Sequence, residues 1–169
     1  MISVMIFGML KIIIKPAQGA VPVSAACLIV LFVLTAASPE ARAVFQEKKH
    51  ELCSPEHCFR VDIAGNAATR RAGLMHKVSM PESDGMLLVF DGLGYHKIWM
   101  KNVHFPLDLL WLDKDFKIVD VRLDVQPCLE LKCPSYIPHS EALYVLEVVS
   151  GESQKAGFEI GKTLKSSVF

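Results

Sequence analysis

Two lysines and a tryptophan alternate along the segment Lys97-Ile98-Trp99-Met100-Lys101. If this segment is a strand, its side chains point alternately to opposite faces, so Lys97, Trp99 and Lys101 share one face. A tryptophan ring between two ammonium groups can support a sugar, an anionic group or a partner loop. The structural alternative is that Trp99 fills the core while both lysines extend outward. Asn102 follows directly, and we predict a candidate binding surface of Trp99, Lys101 and Asn102.

Glu147 is an acidic residue within an otherwise apolar segment, 142–149. A carboxylate that is buried without a partner destabilises the fold by several kcal/mol. We therefore expect Glu147 to form a structural ion pair rather than to serve as a catalytic acid. The candidate partners are Lys101, Arg70 and Arg71.

Asp108 and His104 stand on either side of Pro106, at the predicted start of a strand. The Asp108 carboxylate can accept backbone N–H bonds from the turn, or it can extend the binding surface around Trp99. A competing hypothesis makes the protein a hydrolase or lyase, with Asp108 as base, His104 as orienting group and Glu147 as acid. Because no nucleophile stands beside either residue, non-catalytic binding of a ligand or partner is favoured.

The familiar catalytic and cofactor motifs are absent from the sequence. There is no G-x-S-x-G, no H-E-x-x-H, no phosphate-binding P-loop and no dinucleotide-binding glycine fingerprint. The six histidines are scattered, without the i, i+2 or i, i+4 spacing of paired ligands. The sequence therefore predicts no cofactor and no metal ion.

Four cysteines form two pairs with C-x4-C spacing: Cys53, Cys58, Cys128 and Cys133. Thiols in an oxidising compartment tend to pair, and four of them allow three connectivities. Prolines beside both pairs favour tight turns, and hence the local disulfides Cys53–Cys58 and Cys128–Cys133. The alternative is a structural zinc site made by the same cysteines, with His57 replacing one ligand. Disulfides are favoured because the start of the chain indicates export.

The first 43 residues differ sharply in composition from the rest of the chain. Of these, 29 are apolar, against 58 of the 126 that follow. An apolar run over 25–37 follows two lysines, and Ala41-Arg42-Ala43 fits a signal-peptide cleavage site before Val44. We therefore predict a periplasmic or otherwise extracytoplasmic domain. The alternative is an uncleaved inner-membrane anchor over 19–37, close to the ~20 residues that span a bilayer.

The remaining residues have the size and composition of one soluble domain. We predict a polar linker with a cysteine turn over 44–58 and a single globular domain over 59–169. Residues 44–169 contain 15 basic and 17 acidic side chains, a net charge of about −2, without a long charge run. This balance argues against nucleic acid or an anionic membrane surface as a partner. A small molecule, a glycan or another protein remains.

The hydrophobic pattern of the domain predicts mostly β-structure. Strands are expected at 59–64, 86–90, 107–113, 116–125, 142–149 and 161–165, with a turn at 91–94. Short helices are expected at 67–72, capped by Asn66 and ended by Gly73, and at 151–156. The clearest alternation predicts that Val119, Val121, Leu123 and Val125 face the core. Without β-α-β alternation the predicted class is α+β, mostly β: a small curled sheet or partial barrel with two short helices.

Read in order, several segments resemble the domain-of-unknown-function family 192. They are Arg71-Ala72-Gly73-Leu74-Met75, Gly85-Met86-Leu87-Leu88-Val89-Phe90, Trp99-Met100-Lys101-Asn102-Val103, Pro106-Leu107-Asp108, Tyr136, and Tyr144-Val145-Leu146-Glu147 before Gly151 and Gly161. The resemblance covers about residues 59–165. The family usually has R-G-L-M without the extra Ala72, and often threonine at the position of Val103. The resemblance implies a compact β-rich domain behind a signal peptide or anchor, with no established reaction.

Overall fold

The computed structural model describes residues 50–168. The predicted leader over 1–43, its cleavage before Val44 and the alternative anchor over 19–37 lie outside these residues. Within 50–168, no helix is both long and apolar enough to cross a bilayer. The elements in chain order are β1 His50–Cys53, β2 Cys58–Ala64, α1 Ala67–Ala72, β3 Asp84–Gly94, β4 Ile98–Trp99, β5 Leu107–Leu112, β6 Ile118–Val125, β7 Ser135–Tyr136, β8 Ala142–Val149, α2 Glu152–Lys155 and β9 Lys165–Ser166.

Seven strands form one sheet in the order β6-β5-β8-β3-β2-β1-β9, and β4 pairs with β7 in a second, two-stranded sheet. Strands β2 and β3 are parallel and are joined through α1, while the other pairs are antiparallel. The amide of Ile118 donates to the Lys162 carbonyl (2.8 Å), and that of Leu164 donates to the Phe116 carbonyl (3.0 Å). These bonds join the start of β6 to the chain before β9, so the sheet curls into a partial barrel. The predicted fold class is confirmed.

The helix α1 begins and ends at the residues that the sequence indicated. The Asn66 side chain accepts from the Thr69 amide (2.9 Å), and the Thr69 hydroxyl oxygen accepts from the Asn66 amide (3.1 Å), which is a capping box. Gly73 ends the helix at φ 45° and ψ −131°. Its positive φ favours glycine, which agrees with the predicted end of the helix at this residue.

The central strands β3, β5 and β8 are buried on both faces, which explains why their sequences are continuous apolar runs. On one face Leu87, Leu110 and Leu146 belong to the core enclosed by the curled sheet. On the other face lies a second core, which the segments after α1 and around β4 cover. It includes Leu74, Leu88, Met100, Leu109, Trp111 and Val145. Glu147 lies on this second face, because it pairs with Met86 of β3 and Leu109 of β5.

Two segments that the sequence assigned to a linker and a turn are strands. His50–Cys53, predicted as part of the linker over 44–58, is β1 and pairs with β2. Residues 91–94, predicted as a turn, form the end of β3, whose pairing with β8 is irregular between Val89 and Gly94. Both predictions rested on local composition and were wrong. His50–Cys53 is a strand because it pairs with β2, and Gly94 pairs again with Ala142 of β8.

The faces of β6 also differ from the predicted alternation. Register shifts in its pairing with β5 occur next to Leu107 and next to Trp111. Each shift adds a residue to β6 and so exchanges the faces of the side chains that follow. Leu123, predicted to face the core, is 45% exposed, whereas Asp120, predicted to face solvent, is 3% exposed. The Asp120 carboxylate is paired there with the Arg122 guanidinium (2.9 Å).

The four cysteines form the two local disulfides predicted, Cys53–Cys58 and Cys128–Cys133. The first joins the facing ends of β1 and β2, and the second closes a loop before β7. The alternative zinc site is wrong, because the sulfur atoms it requires as thiolate ligands are bonded to each other.

Candidate binding site

A cavity of about 230 Å³ opens between the end of α1, strands β3 and β8, and the segment of β4. Its lining combines an apolar surface with one carboxylate and three cationic side chains. The lining residues are Arg70, Arg71, Ala72, Gly73, Met75, Leu88, Phe90, Lys97, Ile98, Trp99 and Glu147. We call it the Glu147 cavity. Four of the segments that carry the family resemblance, those containing Arg71, Phe90, Trp99 and Glu147, meet in it.

Glu147 is buried and has no partner among residues 50–168. Its residue is 5% exposed, and its side chain forms no hydrogen bond or ion pair with the described part of the chain. Burial raises the pKa of its carboxyl from 4.5 to about 8, because the charged form loses its hydration. The acid is therefore mostly protonated at neutral pH. The expected ion pair with Lys101, Arg70 or Arg71 is not formed.

Arg70 forms a fixed wall of the cavity. Its guanidinium donates to the Val89 carbonyl (2.7 Å) and to the Asp91 carboxylate (3.2 Å). The same group lies 5.1 Å from the centroid of the Phe90 ring, within the range of a cation–π contact. These contacts direct Arg70 toward the end of β3 and explain why it does not neutralise Glu147.

Arg71 and Lys97 provide the available positive charge at the cavity. Both residues are exposed, and neither forms an ion pair or side-chain hydrogen bond within residues 50–168. Each contributes to the lining from a different element, Arg71 from α1 and Lys97 from the residue before β4. An anionic group that entered the cavity would meet the Arg71 guanidinium and the Lys97 ammonium. Neither group would have to leave a partner within residues 50–168.

Trp99 forms an exposed aromatic wall. It is 38% exposed, whereas its neighbours Ile98 and Met100 are buried at 5% and 1% exposure. The predicted alternation is confirmed for these three residues, and the alternative in which Trp99 fills the core is wrong. Lys101 lies on the same face as predicted, with its Nζ 6.0 Å from the centroid of the Trp99 ring.

Lys101 and Asn102 are held by the disulfide loop and do not line the cavity. The Lys101 ammonium donates to the Leu131 carbonyl (3.2 Å). The Asn102 amide donates to the Cys128 carbonyl (2.9 Å), and the Asn102 carbonyl accepts from the His76 amide (2.8 Å). In this structure both residues fix the course of the chain beside Trp99.

Asp108 lies away from the cavity and has a structural role. It is fully buried, and its carboxylate accepts from the amides of Asp124 (3.0 Å) and Gly151 (2.9 Å) and from the Ser153 hydroxyl (2.6 Å). Asp108 accepts backbone N–H bonds, as the sequence indicated, but the donors are not in the turn at Pro106. They belong to β6 and to the start of α2. His104 is exposed and forms none of these bonds.

Sequence reasoning named Trp99 and Glu147 but not the set that surrounds them. The sequence indicates Arg71 as a candidate partner of Glu147 and Lys97 as one flank of the Trp99 ring, but not that both line one cavity. Gly73 was assigned to the helix end alone, yet a Cβ atom there would lie 3.9 Å from the Glu147 Oε2. The useful signal was already present, because Lys97 and Trp99 share a strand face and Glu147 interrupts an apolar strand.

Comparison with known proteins establishes the family. The profile of DUF192, described as "Uncharacterized ACR", matches residues 50–166, which is more than half of the chain. The protein therefore belongs to this family. No curated protein sequence matches the chain significantly.

Two solved structures share the fold. A Novosphingobium aromaticivorans DSM 12444 protein of unknown function is 21% identical, with a TM-score of 0.62 over 69% of this chain and 83% of its own. A Sinorhizobium meliloti 1021 protein, provisionally described as a transcription regulator, is 26% identical, with a TM-score of 0.62 over 70% of this chain and 92% of its own. The likeness to the first is evidence for the fold alone.

Proposed function

We propose that this protein is an extracytoplasmic binding domain without catalytic activity, and that its ligand occupies the Glu147 cavity. The observation that carries the proposal is the buried Glu147 carboxyl, which has no partner within residues 50–168. It lines a cavity walled by Trp99 and by two cations that are also unpaired in that part of the chain. Buried polar groups are normally satisfied, so one that lines an open cavity is suited to meet a ligand.

Extracytoplasmic residence is supported by two independent features. The sequence of residues 1–43 has the layout of a secretory signal peptide, with cleavage before Val44. The two disulfides support folding in an oxidising compartment, where thiols tend to pair. Cell fractionation with N-terminal sequencing tests this part: we expect a soluble periplasmic form that starts at Val44. A full-length chain in the membrane fraction would favour the anchor over residues 19–37.

The binding role is tested by a thermal-shift screen of small molecules, glycan fragments and peptides on the purified domain. The Trp99→Ala variant removes the aromatic wall, and Tyr95→Ala is a matched control, because Tyr95 is 59% exposed and does not line the cavity. We expect hits that stabilise the parent and Tyr95→Ala but not Trp99→Ala. Identical hits for all three proteins would exclude the cavity as the binding site.

The hydrolase or lyase hypothesis lacks support from the arrangement of its three residues. Asp108 is buried with its carboxylate engaged, His104 is exposed, and Glu147 lines a cavity that contains neither. Equal turnover of esters, glycosides or peptides by the parent and Asp108→Asn would reject Asp108 as a base. The net charge of about −2 for residues 44–169 also gives no support to nucleic acid as the partner.

A further inference from the structure

We infer that the Glu147 cavity takes the anionic end of a small molecule, a carboxylate or a phosphate monoester carried on an apolar or ring-containing body. This inference rests on the proposed binding function and specifies its ligand class. Three properties of the cavity carry it: the charge of its walls, the character of its buried acid, and the apolar surface between them.

The charge of the walls favours an anion. Arg71 and Lys97 line the cavity without an ion pair in the described part of the chain, and Arg70 adds a third cation that is already paired with Asp91. Arg71 can form two parallel bonds to a carboxylate or phosphate group, and Lys97 can add a single charged contact. An amine would instead meet two like charges at the entrance.

The buried acid is compatible with an anion only while it is protonated. The charged groups that line the cavity with Glu147 are Arg70 and Arg71 of α1 and Lys97 before β4, while its strand partners Met86 and Leu109 are apolar. A protonated carboxyl has an O–H that donates to a ligand oxygen. Burial raises the pKa of Glu147 to about 8, so this donor is present at neutral pH. Ionisation above that pH would place a negative charge beside the bound anion.

The remaining surface suits a compact apolar body. Leu88, Phe90, Ile98 and Trp99 line the cavity, and the Trp99 ring is accessible for stacking. A volume of about 230 Å³ is below the ~300–1,000 Å³ of pockets for drug-sized ligands. The ligand is therefore a small acid, or the acidic end group of a larger molecule.

The test uses four probes that share a benzene ring and differ in charge: benzoate, phenyl phosphate, benzyl alcohol and benzylamine. The protein is labelled with fluorotryptophan, and its two tryptophan signals are followed by fluorine NMR at about pH 6.5, where Glu147 is protonated. Trp111 is fully buried, so it serves as an internal reference for Trp99. We expect benzoate or phenyl phosphate to shift the Trp99 signal saturably, with about tenfold tighter binding than benzyl alcohol, the worth of one charge-assisted bond. The tighter of the two anions identifies the acidic group.

Two matched variants assign the charge to its source. Arg71→Gln and Lys97→Gln should each weaken binding of the anion. The control is Lys165→Gln, which should not weaken it, because Lys165 is an exposed lysine on the edge strand β9. Equal weakening by all three would show non-specific attraction and overturn the inference. Equal binding of benzyl alcohol, or tighter binding of benzylamine, would overturn the anionic class while leaving the cavity as a binding site. If no probe shifts Trp99, the anionic class is rejected, and the thermal-shift screen decides the binding function separately.

The role of Glu147 is tested by measuring the binding of benzoate at several pH values between about 6.5 and about 9. Benzoate stays ionised over this whole range. Binding to the parent should weaken severalfold as pH rises through about 8. Glu147→Gln keeps a neutral donor at the same position, so its binding should be flat over this range. A flat profile for the parent, or the same decline in Glu147→Gln, would contradict the role assigned to the protonated acid.

Discussion

Asp108 and Glu147 lie on neighbouring strands, yet their carboxyl groups occupy opposite faces of the sheet. Asp108 pairs with Val148, which belongs to the core within the curled sheet, whereas Glu147 pairs with Leu109 in the core on the other face. Side chains of directly paired residues share a face, and adjacent residues alternate. One substrate therefore cannot contact both carboxyl groups, and they are expected to respond differently to substitution.

Asp108→Asn should destabilise the fold without changing ligand binding. The buried carboxylate accepts from Asp124, Gly151 and Ser153 with its two oxygens. In asparagine an NH2 group replaces one of these oxygens, so the amide cannot accept all three bonds. We expect a loss of about 2–4 kcal/mol in the free energy of unfolding, measured with urea. Asp62→Asn is the control, because this carboxylate is 61% exposed, and a change within about 0.5 kcal/mol is expected. An equally small change for Asp108→Asn would contradict its structural role.

Glu147 should make the protein less stable as pH rises from about 4.5 to about 8. The folded state holds the proton up to about pH 8, whereas the unfolded chain releases it near 4.5, so the folded state binds more protons in this window. The stabilisation is complete below about 4.5 and is lost as pH rises through about 8. Glu147→Gln should remove this decline and raise the free energy of unfolding above pH 8 by roughly 2–4 kcal/mol.

The control for this pH dependence is Glu159→Gln, because the Glu159 carboxylate is 72% exposed and pairs with Lys162 at 3.4 Å. Urea unfolding of the parent and both variants across the pH range measures the effect. The Glu159→Gln protein should keep the decline of the parent. If Glu147→Gln keeps it as well, another group is responsible, and the raised pKa of Glu147 is contradicted.

Local signals in the sequence were sufficient for the elements that depend on local interactions. The cap at Asn66, the glycine at 73 and the apolar runs of β3, β5 and β8 each predict their element because the cause lies within a few residues. The position of β1 could not be found in this way. Two of its four residues, His50 and Glu51, are polar, and the segment becomes a strand through pairing with β2 and β9.

The candidate site was predictable in part for the same reason. Trp99 and Glu147 were recognisable because an aromatic residue on a charged face and an acid in an apolar strand are both locally unusual. Their proximity depends on packing of β4 over the face that carries Glu147, which no local pattern specifies. Asp108 was drawn into the predicted surface because it is near Trp99 in sequence, but β5 buries it elsewhere.

Asn66→Ala should weaken both the fold and the site, because α1 carries Arg70 and Arg71. Loss of the side-chain acceptor leaves the Thr69 amide unsatisfied at the start of a helix of only six residues. We expect a loss of about 1 kcal/mol in the free energy of unfolding, against little change for Asn66→Asp, which keeps a side-chain acceptor for the Thr69 amide. Hydrogen exchange of the α1 amides should quicken in the same order. Equal losses for both variants would indicate that the capping bond is not the cause.

The Cys128–Cys133 disulfide should determine the position of Trp99. Cys128 exchanges backbone bonds with the Trp99 segment, donating to the Met100 carbonyl (3.2 Å) and accepting from Asn102 (2.9 Å). The loop that the disulfide closes also accepts from Lys101 through the Leu131 carbonyl. We therefore expect the double variant Cys128→Ser/Cys133→Ser to broaden or shift the fluorine NMR signal of Trp99.

The matched control is Cys53→Ser/Cys58→Ser, because both disulfides join cysteines five positions apart and restrict the unfolded chain equally. Each double variant should lose about 2 kcal/mol in the free energy of unfolding. Only the loop variant should alter the Trp99 signal and weaken binding in the Glu147 cavity, because Cys53 and Cys58 lie on β1 and β2, outside its lining. A Trp99 signal that is unchanged in the loop variant, or changed to the same extent in both, would contradict this coupling.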